Sequence, residues 1–170
     1  MLVKVSQQKI IFFIQVFLLG AFLVSFSEQD AKTVRDNYRK ALTSESEISV
    51  FKNYSAKHQN SALGKAYFGT ALALEARAAW SPSTKLSNAK AAFAALNEAV
   101  KLDAKNIEIR FLRLSFAHGT PDFLSMKTSI AEDKKIFLQG NIKNHAIGDI
   151  MQKFMANSGL FTAAEKSSIK

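Results

Sequence analysis

The 170-residue chain contains no cysteine, only two prolines and a single tryptophan. Without thiols there is no disulfide framework, no Cys-ligated zinc and no lipoprotein anchor, which needs a cysteine to carry its lipid. With prolines only at 82 and 121, little interrupts long helices. No Gly-x-Ser-x-Gly elbow and no Gly-rich phosphate loop occurs, so two common frameworks for hydrolysis and nucleotide binding are missing. His58, His118 and His145 have no second His or Cys at ligand spacing, and neither a metal nor a cofactor is expected. The chain also lacks any run of alternating β-branched residues, so nothing in it points to a sheet.

What the chain does have begins with a secretory layout. Lys4 and Lys9 precede an apolar run from Ile10 to Phe26, and Ser25-Phe26-Ser27 places small residues at the two positions a signal peptidase reads. Residues 1–27 are therefore expected to be a signal peptide, cut before Glu28. The alternative is an uncleaved anchor, since about 17 apolar residues is the lower limit for spanning a bilayer. An exported domain that manages without disulfides suits a bacterial periplasmic or secreted protein, because the remaining residues are enough to bury a core unaided.

Charge excludes another class. The formal net charge is +9, and 21 basic against 14 acidic residues remain once Lys4 and Lys9 leave with the leader. The basic residues are dispersed, with Arg39-Lys40 and Lys134-Lys135 the only adjacent pairs, whereas nucleic-acid binders gather them on one face among aromatics. A solvated basic surface is expected, with no nucleic-acid partner and at most a weak attraction to anionic envelope surfaces.

Residues 28–170 read as one all-α domain, a compact bundle of six to eight helices, with 160–170 fraying. The first helix spans about Asp30 to Leu42, with Ala31, Val34, Tyr38 and Ala41 on one face. Ser44 and Glu47 have capping-box spacing for the second, and Ser129 and Glu132 for a later one. The third, about 61–79, is rich in Ala and Gly and is expected to be central, with Gly64 and Gly69 tolerated because neighbours approach closely there. The fourth begins at Ser81-Pro82 and carries Leu86, Ala89, Phe93, Leu96 and Val100 as its apolar stripe. Asn106 caps a fifth helix that ends near His118-Gly119, and a further helix from about Asn144 stops before Gly159.

Two resemblances accompany this reading. Leu63-Gly64-Lys65-Ala66-Tyr67, with Ala92, Leu96, Ala99 and Leu102-Asp103-Ala104-Lys105-Asn106, resembles a tetratricopeptide hairpin over about 61–117. The resemblance implies such a hairpin at the centre of the bundle. Asn106-Ile107-Glu108-Ile109-Arg110-Phe111, Pro121, Phe123-Leu124 and Glu132-Asp133-Lys134 resemble an uncharacterised family of short exported helical proteins from Bacteroidetes-type bacteria. That likeness implies compartment and fold and assigns no activity.

The candidate site residues are few. Arg110 and Arg113 stand three apart on one helix face and could clamp an anionic group. Their competing role is structural, as ion pairs with carboxylates such as Glu75, Glu98 or Asp133. His118 lies four residues before Asp122 but reads as a helix-end or surface residue, and Glu132-Asp133 point about 100° apart on a helix, so they do not face one another. Trp80 reads as a packing anchor. No catalytic residue is assigned. The expectation is a non-enzymatic interaction or scaffold protein of the bacterial envelope, whose partner is another envelope protein or peptide, with no membrane insertion after cleavage. A hydrolase acting on envelope polymers and a small-ligand carrier with an internal pocket are the alternatives.

Overall fold

The computed structural model describes residues 26–169. The signal-peptide reading therefore falls outside the described residues, except for Phe26 and Ser27. Eight α-helices and one 3-10 turn, with no strand, make up the described part, in agreement with the all-α expectation. They are α1 (Glu28–Thr43), α2 (Glu47–Ala56), α3 (Ala62–Ala78), α4 (Pro82–Leu102), α5 (Ile107–Gly119), the 3-10 turn Asp122–Leu124, α6 (Ile130–Phe137), α7 (Gly148–Asn157) and α8 (Ala163–Ser167). None of these helices is long and apolar enough to cross a membrane.

The helix starts follow from local chemistry. Ser27 and Asp30 form a reciprocal capping box on α1, and Thr162 and Glu165 do the same for α8. Ser61 caps α3 by accepting from the Gly64 amide. Ser81 caps α4 by accepting from the Thr84 amide, with Pro82 in the first turn, where its missing N–H is not needed. The Asn106 carboxamide oxygen accepts from the amides of Glu108 and Ile109 at the start of α5. Two expected boxes do not form. Ser44 is the extended C-cap of α1 and its hydroxyl bonds that of Ser46, so α2 starts later, at Glu47. Glu132 turns to the Arg110 guanidinium at 3.0 Å, and the buried Ser129 hydroxyl has no hydrogen-bond partner among the described residues.

Helix α3 is central, packing against α1, α2, α4 and α5. Its glycines are there for closeness. A Cβ on Gly69 would lie 2.9 Å from Leu96 Cγ and 3.1 Å from the Ala92 carbonyl of α4, and one on Gly64 would collide with the His58 carbonyl. The core has two aromatic centres. Tyr38, Phe51 and Tyr67 join α1, α2 and α3 with ring centroids 5.5–5.9 Å apart. Phe111, Phe137, Phe154 and Phe161 join α5, α6, α7 and the chain beyond.

Two expectations about the surface are corrected. The buried face of α4 is Ala89, Ala92, Leu96, Ala99 and Val100, while Leu86 is exposed and Phe93 is half-buried against Phe116. The helix rotates so that its small residues meet Gly69. Trp80 is 99% exposed and anchors nothing, because it sits in the three-residue link between α3 and α4 with no layer beneath it.

Candidate functional site

The polar residues singled out in the sequence come together in the interior. Asp133 is fully buried and accepts from Arg110 Nη1 at 2.8 Å and from Arg113 Nε and Nη2 at 2.8 and 2.7 Å. Arg110 Nε also donates to the Ala104 carbonyl at 2.7 Å, and Arg113 Nη1 to Asn97 at 2.9 Å. Of the three carboxylates considered, Asp133 is the partner; Glu75 pairs with Lys52 and Glu98 with Lys101. Both guanidinium groups are buried with their donors engaged, which is the ion-pair arrangement. The cluster ties α4, α5 and α6 together.

Sequence reasoning missed a second buried cluster. Glu108 is 2% exposed and receives Arg35 Nε and Nη2 at 3.0 and 2.8 Å and the Tyr67 hydroxyl. His145 Nε2 lies 3.5 Å from the same carboxylate. Burial, together with the adjacent Glu108 charge, holds the Tyr67 phenol well above its ordinary range, so it acts as a fixed donor. Burial and the Arg35 charge outweigh Glu108 and hold His145 below its ordinary value. The Glu108 signal was hidden because its partners Arg35, Tyr67 and His145 lie far from it in the chain.

A concavity lies elsewhere. A groove of about 970 Å³ is lined by α1, α3, α4, α5, α7 and the 3-10 turn. Its walls are mostly apolar, formed by residues such as Leu42, Ala73, Leu74, Ala89, Leu112 and Phe116. Space exists there because α3 presents Ala73 and Ala76, side chains too short to reach the opposite wall. Pro82 and Leu86 from α4 and Pro121, Phe123 and Leu124 from the segment around the turn also line it. Phe123 is 82% exposed.

The charged lining is of one sign. Arg77, Lys85 and Lys153 line the groove, and His118 faces it with its ring edge-on to Phe154 at 5.7 Å. No Asp or Glu lines it. The other four arginines are each paired: Arg35 with Glu108, Arg39 with Asp149, and Arg110 and Arg113 with Asp133. Arg77 has no ion pair or hydrogen bond among the described residues. Asp122, the sequence neighbour considered for His118, is exposed and held by Lys127 at 2.6 Å. No cluster of three or more metal-type ligands exists among the described residues.

Comparison with family models, curated proteins and solved structures finds no match to this chain.

Proposed function

We propose that the chain is a non-enzymatic binding protein of the bacterial envelope and that the groove is its working surface. The observation that carries this reading is a large apolar concavity whose charged lining is wholly cationic. Ligand sites are concave and mostly apolar, with a few polar groups that fix orientation, and their volumes run to roughly 1,000 Å³. The groove matches that description. It does not match an acid–base site, because the carboxylate that would orient His118 is engaged by Lys127 on the surface. The hairpin of α3 and α4, over which the tetratricopeptide likeness extends, supplies one wall. That likeness supports a binding role, since paired helices of this kind commonly present concave surfaces.

The test is titration with an anionic aromatic dye, 1-anilinonaphthalene-8-sulfonate, which needs both an apolar niche and a cation. Saturable binding to the parent is expected. Ala73→Phe, which fills the groove from α3, should abolish it, while Ala94→Phe on the exposed side of α4 should leave it intact. Equal binding by all three proteins would overturn the reading.

A further inference from the structure

We propose that the mouth of the groove docks on an anionic lipid bilayer and that one acyl chain of an anionic lipid enters the groove. This rests on the binding reading above and names the occupant. Three observations carry it. First, Trp80 and Phe123 are 99% and 82% exposed, one in the link that precedes the groove residue Pro82, the other on the groove lip itself. Aromatic rings of this size held in water are available for burial against an apolar partner. Trp in particular settles at the headgroup level, where its ring is buried and its N–H is wet.

Second, two cations near Trp80 in the chain are unpaired among the described residues. Arg77 lies three residues before Trp80, and Lys85 lies five residues after it on the groove wall. Neither has an ion-pair partner among the described residues. A guanidinium presents a planar fork of donors that matches a phosphate oxygen pair. Third, the groove behind them is apolar and lacks carboxylates, so it accepts a hydrocarbon chain and attracts the anionic headgroup to which that chain is joined.

An acidic amphipathic peptide would meet the second and third observations. It would leave Trp80 bare, because that side chain sits in the link and is not part of the groove lining. A bilayer covers the protruding tip and the groove mouth together. The insertion reaches interfacial depth only and requires no spanning helix. It departs in that respect from the sequence expectation of no membrane insertion.

Trp80 is the only tryptophan in the chain, so its emission reports this tip and nothing else. Full-length protein is titrated at low salt with vesicles of phosphatidylglycerol and phosphatidylcholine, and with phosphatidylcholine alone. The mixed vesicles should shift Trp80 emission to the blue and shield it from acrylamide; the neutral vesicles should not. Arg77→Gln and Lys85→Gln should each raise the lipid concentration for half-maximal shift about five-fold, the weight of one cation near an anionic surface. Ala73→Phe should raise it as well, by denying the chain its place, and Lys32→Gln on the exposed face of α1 should change it little. An equal shift with both vesicles, or none with either, would overturn the proposal. Displacement of the groove-bound dye by an acidic amphipathic peptide, with Trp80 unmoved by either vesicle, would overturn it in favour of a peptide occupant. If the dye of the preceding test binds in the groove while vesicles leave Trp80 unmoved, the lipid proposal fails and the binding reading stands. If the parent binds no dye, the binding reading fails and the lipid proposal with it.

Discussion

Replacing Asp133 with asparagine preserves the shape of the side chain and removes its charge from beneath two guanidinium groups. The carboxylate is fully buried and accepts three hydrogen bonds of 2.7–2.8 Å from Arg110 and Arg113, themselves 3% and 7% exposed. The amide would keep one acceptor oxygen and turn an NH₂ group toward cations that can only donate. Breaking a buried ion pair from one side costs about 3–5 kcal/mol, since the surviving charge stays in a poor dielectric. Glu132, 3.0 Å from Arg110, relieves part of this, but it is mostly exposed and screened. For a domain of this size that loss lowers the thermal midpoint by roughly 10–15 °C. Arg113→Gln should cost less than Asp133→Asn, because Asp133 would keep Arg110. Arg110→Gln should cost less again, because it frees only one of the three bonds to Asp133. Thermal and urea unfolding of the three variants beside the parent gives the order. An Asp133→Asn protein as stable as the parent would refute the reasoning, and it would return Arg110 and Arg113 to consideration as an anion clamp.

Three further outcomes follow from the packing. Phe93→Ala should cost only about 1–2 kcal/mol, because the ring is half-buried against Phe116, whereas Leu96→Ala, at a fully buried position, should cost about 2–5 kcal/mol; urea unfolding that reversed this order would contradict the observed rotation of α4. His145 is held below its ordinary value by burial, so the unfolded chain takes up a proton before the folded one does; stability should decline as pH falls below about 6.5, and His145→Asn should flatten that part of a pH-dependent melting profile. Ser27→Ala should cost about 1 kcal/mol in the unprocessed chain by removing the α1 capping box, and should have no counterpart in a protein cut before Glu28, where intact mass from the native host shows the same starting residue with or without the change.

Much of the helix order was legible because it is written in local signals. Ser61, Ser81 with Pro82, and Asn106 each start a helix where their side chains bond amides two or three residues ahead, and such signals need no knowledge of the rest of the fold. The signals failed where a distant charge competed, as at Ser129-Glu132, whose glutamate is drawn to Arg110 some twenty residues earlier. Periodicity identified α4 as amphipathic and placed Ala89, Leu96 and Val100 on its buried face, but it put Leu86 and Phe93 there too. Large residues at 86 and 93 dominate a hydrophobic count, while the true contact face is chosen by the missing Cβ of Gly69, which invites Ala92 and Leu96. Trp80 failed for a related reason. Size and apolarity predict burial only where an element lies above the residue, and the link between α3 and α4 has none. The groove was not legible at all, because it consists of what α3 leaves unfilled between walls that are far apart in sequence.

The two buried ionic clusters and the groove stand in a consistent relation. Arg35–Glu108–Tyr67 ties α1 to α5 and α3, and Arg110–Arg113–Asp133 ties α5 to α6 and α4, so α5 is fixed from two sides by directed contacts. Its remaining face, with Leu112, Ser115 and Phe116, is thereby released from the need to close against α3 and forms a wall of the groove. An apolar groove left open costs stability, since each unfilled methylene-sized space forgoes roughly 1 kcal/mol of burial. Ala73→Phe should therefore stabilise the fold even as it abolishes dye binding. Sites that trade stability for function behave in this way, and packing defects do not. If filling the groove raised the unfolding midpoint and left every binding measurement unchanged, the groove would be a defect of packing and its cationic lining a coincidence.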